Sequence, residues 1–113
     1  MSEPIALEAD PYHTLPGRDR DHLLAAALYA SKHDRIAPAS AVNETVGRLT
    51  GSAPSTTTTD TALAALADAD LIDRVDGEPN GRSRGVRVTD AGHRTLARGA
   101  ARLDAAATVE ADA

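Results

Sequence analysis

The chain has no cysteine, no tryptophan and no phenylalanine, and aromatic residues make up 2% of it. Without cysteine there are no disulfides, no thiolate-ligated metal and no thiol redox chemistry. Without large aromatic rings, the core has to be assembled from Leu, Val, Ile and much Ala, within an apolar fraction of 42%. Ala-rich helices pack closely but bury little area each. A monomer of 113 residues built this way is marginal, and dimerisation is an ordinary remedy. Long hydrophobic runs are missing too. No stretch approaches a membrane span, and the N-terminus lacks the basic, apolar pattern of a secretory signal. A soluble cytoplasmic protein of one small domain, with or without arms, is expected.

Lysine is nearly absent as well: Lys32 is the only one among twelve basic residues, and the net charge is −5. Abundant Asp and Ala with few large hydrophobes resembles the composition of proteins from salt-in halophiles, so a haloarchaeal origin is expected. The alternative is an ordinary acidic protein from a GC-rich genome. An acidic balance normally argues against nucleic acid as a partner, but distribution matters more than the sum. Residues 71 to 102 hold seven arginines against Asp73, Asp76, Glu78 and Asp90, a local charge of +3. The remainder carries −8. One basic region on an acidic body is the footprint of a groove-binding face.

Along the chain, residues 1 to 17 contain Pro4, Pro11 and Pro16 and read as an arm, not a helix, with a short extended piece near Ile5 to Leu7. Arg18 to His33 reads as a helix with Leu23, Leu24, Ala27, Leu28 and Ser31 on its apolar stripe. Arg35 to Ala37 is long enough for a single ladder contact. Pro38 opens a second helix to about Thr50, with Ala39, Val42, Val46 and Leu49 inward, and Gly51 ends it. Ser55 is the N-cap of a third helix that buries Ala62, Leu63, Leu66 and Ala69. Asp70 falls at a sharp turn, where Asp tolerates a left-handed backbone. A last helix from Asp90 to about Ala107, capped by Thr89 or Asp90, carries Leu96 and Leu103. Its Gly92 and Gly99 permit close approach of another element.

Between the last two helices, Leu71 to Val75 and Val86 to Val88 alternate in polarity around the turn formers Gly77, Pro79, Asn80, Gly81 and Gly85. This is a β-hairpin with a long tip. It cannot bury a core alone and must lean on helices. Arg82 and Arg84 sit at the tip, while Arg74 and Arg87 lie on the strands. The tip arginines are expected to enter or flank a minor groove, or else simply to keep a loop solvated. Arg74 and Arg87 either reach phosphate or pair with Asp73, Asp76 or Glu78 across the hairpin.

The threonine run Thr56 to Thr59 would be poor in mid-helix, because β-branched residues lose rotamer freedom there. At a helix N-terminus its hydroxyls are free to bond backbone or ligand. Ser55, Thr56, Thr57, Thr58 and Thr61 therefore become candidate contacts to double-stranded DNA, with methyls suited to thymine. None is a bidentate reader, so each contact is expected to discriminate weakly, with DNA shape supplying much of the rest. Ser40 and Asn43, early in the second helix, are candidate phosphate contacts.

The run "LAALADADLIDR", "GEPNGRSRGVRVTDAG" and "HRTL" resembles the winged-helix regulators of the PadR-like and MarR-related groups, through Leu63, Leu66, Leu71, Ile72, Thr89, Ala91 and Gly92. The usual Gly at the turn is Asp70 here, and the aromatic often found early in the PadR recognition helix is absent. The resemblance implies a mainly α fold with a small β-hairpin, a winged helix-turn-helix with an extra terminal helix for dimerisation. It divides the chain into an arm (1–17), a DNA-binding domain (18–89) and a dimerisation helix with tail (90–113). It also implies a homodimeric, sequence-specific transcription regulator acting in a stress response, with the operator and any small effector left open.

Other chemistry finds little footing. His13, His22, His33 and His93 lack metal-ligand spacing, and an exposed imidazole is the expectation for His22 and His33. No serine sits in a strand-turn-helix elbow, so no enzyme activity and no cofactor are expected. The competing reading is a winged helix used as a protein–protein module of the transcription machinery, working through its acidic body and Ala-rich terminal helix.

Overall fold

Pro16 and Pro38 cannot donate a backbone hydrogen bond and hold extended backbone at the starts of two helices. A computed structural model describes residues 11–33, 36–76 and 83–111. Its elements are α1 (Pro11–Thr14), α2 (Gly17–Lys32), α3 (Ala39–Thr50), α4 (Thr56–Asp68), β1 (Ile72–Asp76), β2 (Ser83–Val88) and α5 (Asp90–Ala111). The order is the expected one, with one addition. Part of the expected arm forms the single turn α1, which lies against α5 with the Tyr12 ring over Gly99. The expected extended piece at Ile5 to Leu7 lies outside the described residues.

α2 is central and packs against α3, α4, β2 and α5. Its buried face is Asp19, His22, Leu23, Ala25 and Ala26, rotated from the expected stripe. Leu28 is 37% exposed and Ser31 is exposed, its hydroxyl bonded back to the Leu28 carbonyl at 2.8 Å. The rotation has a cause. His22 is 1% exposed and finds polar partners inside, so a polar residue occupies the core while a leucine does not.

Leu23, Val42, Val46, Leu63, Leu66, Leu71, Ile72, Val86 and Val88 form the centre of one apolar core, joined by Ala25, Ala26 and Ala37. Burying each Leu or Val stabilises by roughly 1.5–3 kcal/mol. Leu49 and Ala69, expected inside, are exposed. Both lie at helix ends, where the chain turns away: Leu49 two residues before the left-handed Gly51, and Ala69 as the C-cap of α4.

The end of α4 follows the Schellman pattern. Leu71 N–H bonds the Leu66 carbonyl and Asp70 N–H the Ala67 carbonyl, both at 3.0 Å, with Asp70 at φ +61°. Leu66 and Leu71 are both buried, as the motif's apolar contact requires.

β1 and β2 are antiparallel, pairing Ile72 with Val88, Asp73 with Arg87, Arg74 with Val86 and Val75 with Gly85; a register shift follows at Val75/Asp76. Ala37 adds the expected single bridge to Val86 through reciprocal hydrogen bonds of 2.8 and 2.9 Å. At Gly85, φ is +142° and the Ala37 carbonyl fills the space of a Cβ, so the third ladder closes only over glycine. Thr89 then starts α5. Its hydroxyl donates to the Asp70 carbonyl at 2.7 Å and accepts from Gly92 N–H at 3.0 Å. This cap fastens α5 to the turn behind α4.

Candidate nucleic-acid interface

α4 divides into two faces. Thr59, Ala62, Leu63 and Leu66 point inward. Thr56, Thr57, Asp60, Thr61 and Ala64 are exposed, a stripe of short side chains with no basic residue. Ser55 is the expected N-cap: its hydroxyl accepts from Thr58 N–H at 3.1 Å and donates to the Thr58 hydroxyl at 2.9 Å. Thr61 donates to the Thr57 carbonyl at 2.9 Å. Thr56 and Thr57 make no such bond among the described residues, so their exposed hydroxyls face solvent.

A buried polar chain holds this stripe in place. His22 Nδ1 lies 2.7 Å from the Arg18 carbonyl and Nε2 lies 3.0 Å from the Thr59 hydroxyl. A carbonyl only accepts, so Nδ1 carries the proton in the neutral ring and Nε2 accepts from Thr59. The Thr59 oxygen in turn accepts from the Asn43 amide at 2.9 Å, and the other Asn43 proton goes to the Pro54 carbonyl at 2.7 Å. Three helices and the turn before α4 are thereby linked by one histidine, one threonine and one asparagine. Among the described residues, no buried side-chain nitrogen or oxygen lacks a partner.

His22 was expected to be exposed, and its burial is a correction. The sequence carries no local sign of it, because Thr59 is 37 residues away. Asn43, expected as a phosphate contact, has its amide protons turned inward in this chain of bonds. Ser40 is exposed in the first turn of α3.

The hairpin arginines separate by strand parity. Arg74 shares the sheet face of Ile72, Val86 and Val88, on the strand that lies against α4. It is exposed and has no ion-pair partner among the described residues. Arg87 is on the opposite face, 4.0 Å from Asp73, with both side chains more than half exposed. Such a pair is worth little in water. Arg87 and Asp73 line an open cleft of about 820 Å³ between α2, the hairpin and the start of α5, and no residue of α4 borders it. Arg74 thus lies on the core-facing side of the hairpin, and Arg87 on the opposite side beside Asp73. Arg84 belongs to β2, and Arg82 lies outside the described residues.

Sequence reasoning passed over Asp60. A helical wheel finds it, four residues after Thr56, in the middle of the exposed stripe. Among the described residues no cluster of His, Asp or Glu is placed to hold a metal, and no helix is long and apolar enough to cross a membrane.

No protein-family model matches the chain, and no curated protein matches it. Among solved structures it is similar to the Rio2 kinase from Chaetomium thermophilum, with 27% identity and a TM-score of 0.57 over 87% of this chain. That kinase has a winged-helix domain, and the chain spans 25% of its length. With the helices and hairpin described above, the fold is a winged helix-turn-helix, mainly α with a two-stranded antiparallel hairpin.

Proposed function

We propose that this protein is a sequence-specific transcription regulator that binds double-stranded DNA as a homodimer, in the manner of the PadR-like and MarR-related regulators it resembles. The observation that carries the reading is the outward stripe of α4. Exposed Thr56 and Thr57 hydroxyls lie on the solvent face of the recognition helix, whose other face is fixed through Thr59. In a winged helix-turn-helix, the N-terminal half of this helix enters the major groove. The hairpin supplies Arg74, Arg82 and Arg84 for backbone or minor-groove contact. Leu103, 63% exposed on the far part of α5, supports pairing of two copies there.

The composition supports a haloarchaeal cytoplasm as the setting, and the stress-linked role rests on the resemblance alone. Counterion release drives binding weakly when the solution already holds molar cations, so affinity should change little with KCl in that range. Footprinting of genomic duplex in molar KCl tests the reading. A defined protected site is expected, and Arg82→Ala with Arg84→Ala should weaken every site alike, while Thr57→Ala changes the preferred sequence. Unchanged retention in both variants refutes this interface.

The second reading, a protein–protein interaction module, draws on the absence of any basic residue from α4 and on the acidic remainder of the chain. It predicts only nonspecific retention of DNA in the same footprint.

A further inference from the structure

Asp60 is the charged residue in the N-terminal half of the exposed stripe of α4, four residues after Thr56 and three after Thr57, with Asp68 exposed at the helix's last position. It is exposed, and no cation neutralises it among the described residues. Arg48, the basic residue of α3, is held by Glu44 of its own helix at 3.0 Å. We infer that Asp60 reads a base, accepting a hydrogen bond from the exocyclic amino group of cytosine in the major groove. This deepens the proposed DNA-binding role and rests on it.

Three observations lead there. First, a free carboxylate at the centre of a surface that approaches a polyanion is repelled by every phosphate, so it has to find a donor on the bases. The major-groove edge offers only two, cytosine N4 and adenine N6, and adenine pairs its donor with an N7 acceptor that repels a carboxylate. Second, Asp is short and reaches a base edge only if the helix backbone comes close. The neighbours on the stripe, Thr56, Thr57, Thr61 and Ala64, are all small enough to let it. Third, α4 carries no arginine or lysine that could reach across and quench the carboxylate at the groove.

Asp60 therefore acts twice. It lowers affinity for arbitrary duplex and recovers that loss only opposite cytosine, which makes it a specificity-determining residue more than an affinity-determining one.

Selection from a randomised duplex pool in molar KCl, with the full-length wild type, Asp60→Ala and Asp60→Asn, tests this. The preferred sites are then titrated against duplexes in which one C·G pair is changed to A·T. For the wild type, one position should require cytosine, with a preference of about 5- to 150-fold. Asp60→Ala should bring that ratio near one and raise affinity for random duplex. Asp60→Asn should move the preference toward adenine, which an amide reads through both N6 and N7. Because Asp60 is exposed, the variants' thermal unfolding should match the wild type and report a folded protein. If the wild type selects a site and Asp60→Ala selects the same base at every position, the inference is overturned and the DNA-binding reading stands. If the wild type retains no duplex and selects no sequence, both fall together.

Discussion

Replacing Thr59 with valine keeps the shape of the side chain and removes only the oxygen that joins His22 to Asn43. The two partners respond differently. His22 is 1% exposed, so its Nε2 has no water to turn to and becomes a buried acceptor without a donor. Such a group costs about 1–3 kcal/mol. Asn43 is half-buried and keeps its bond to Pro54, so its second proton can be rehydrated. Its loss is nearer the ~0.5–1.5 kcal/mol net worth of an ordinary hydrogen bond. Together these give about 1.5–4.5 kcal/mol, set against a total stability of about 5–15 kcal/mol for a domain. At about 4–8 °C per kcal/mol for a small domain, the melting temperature should fall by roughly 6–36 °C.

Thermal unfolding by circular dichroism in molar KCl reads this shift, with Thr57→Val as the control. Thr57 is exposed and its hydroxyl makes no bond among the described residues, so its variant should stay within about 0.5 kcal/mol of the wild type. Nitrogen-15 spectra of the histidine rings provide an independent check, since His22 should carry its proton on Nδ1. The reasoning is refuted if Thr59→Val melts with Thr57→Val, or if the His22 proton resides on Nε2.

Gly85→Ala should be among the most damaging small substitutions, at about 3 kcal/mol or more, because the Ala37 carbonyl occupies the new methyl's place at a left-handed φ; urea unfolding measures it, and a loss under 1 kcal/mol would contradict the bridge. Asp70→Gly should instead stabilise by about 0.5–1 kcal/mol, as relief of the left-handed strain at φ +61° outweighs the added chain entropy of glycine. The same unfolding experiment checks its sign. Leu103→Glu, on an exposed part of α5, should leave the unfolding of dilute protein unchanged while shifting sedimentation from dimer to monomer; an unaltered sedimentation profile removes this residue from the dimer contact.

What could be read in advance was local. Ser55, Pro38, Gly51 and Asp70 each act on the backbone within four residues, so their roles as caps and turn show in the sequence and recur in the structure. The threonine cap of α5 was accessible for the same reason, whereas the partner of the short strand at Ala37, Val86, is distant in sequence. Periodicity located helices but not the edges of their buried faces: Leu28, Leu49 and Ala69 have the right spacing, yet Leu28 falls off the rotated face of α2 and the other two lie at helix ends. His22 escaped because its burial depends on a hydroxyl from a distant helix. The inequality of Arg74 and Arg87 escaped because it depends on strand register. With Ile72 opposite Val88, one arginine falls on the core-facing side of the hairpin and the other beside Asp73, and a shift of one residue would put both on the same face.

That inequality bears on how a molecule of net charge −5 can hold a duplex at all. On the proposed reading, α4 brings hydroxyls, the carboxylates of Asp60 and Asp68 and no positive charge, so it contributes choice of sequence and little grip. Grip falls to the hairpin, a different element. Affinity and specificity are then carried by separate residues. Substitutions at Thr57 or Asp60 should change which sites are bound, those at Arg82 and Arg84 how tightly all sites are bound, and the double variants should be close to additive. The chain of bonds from Arg18 through His22 and Thr59 to Asn43 is where the two could couple, because it sets the angle of α4 against the rest of the domain. Thr59→Val is therefore the one substitution expected to alter both affinity and sequence preference without touching DNA.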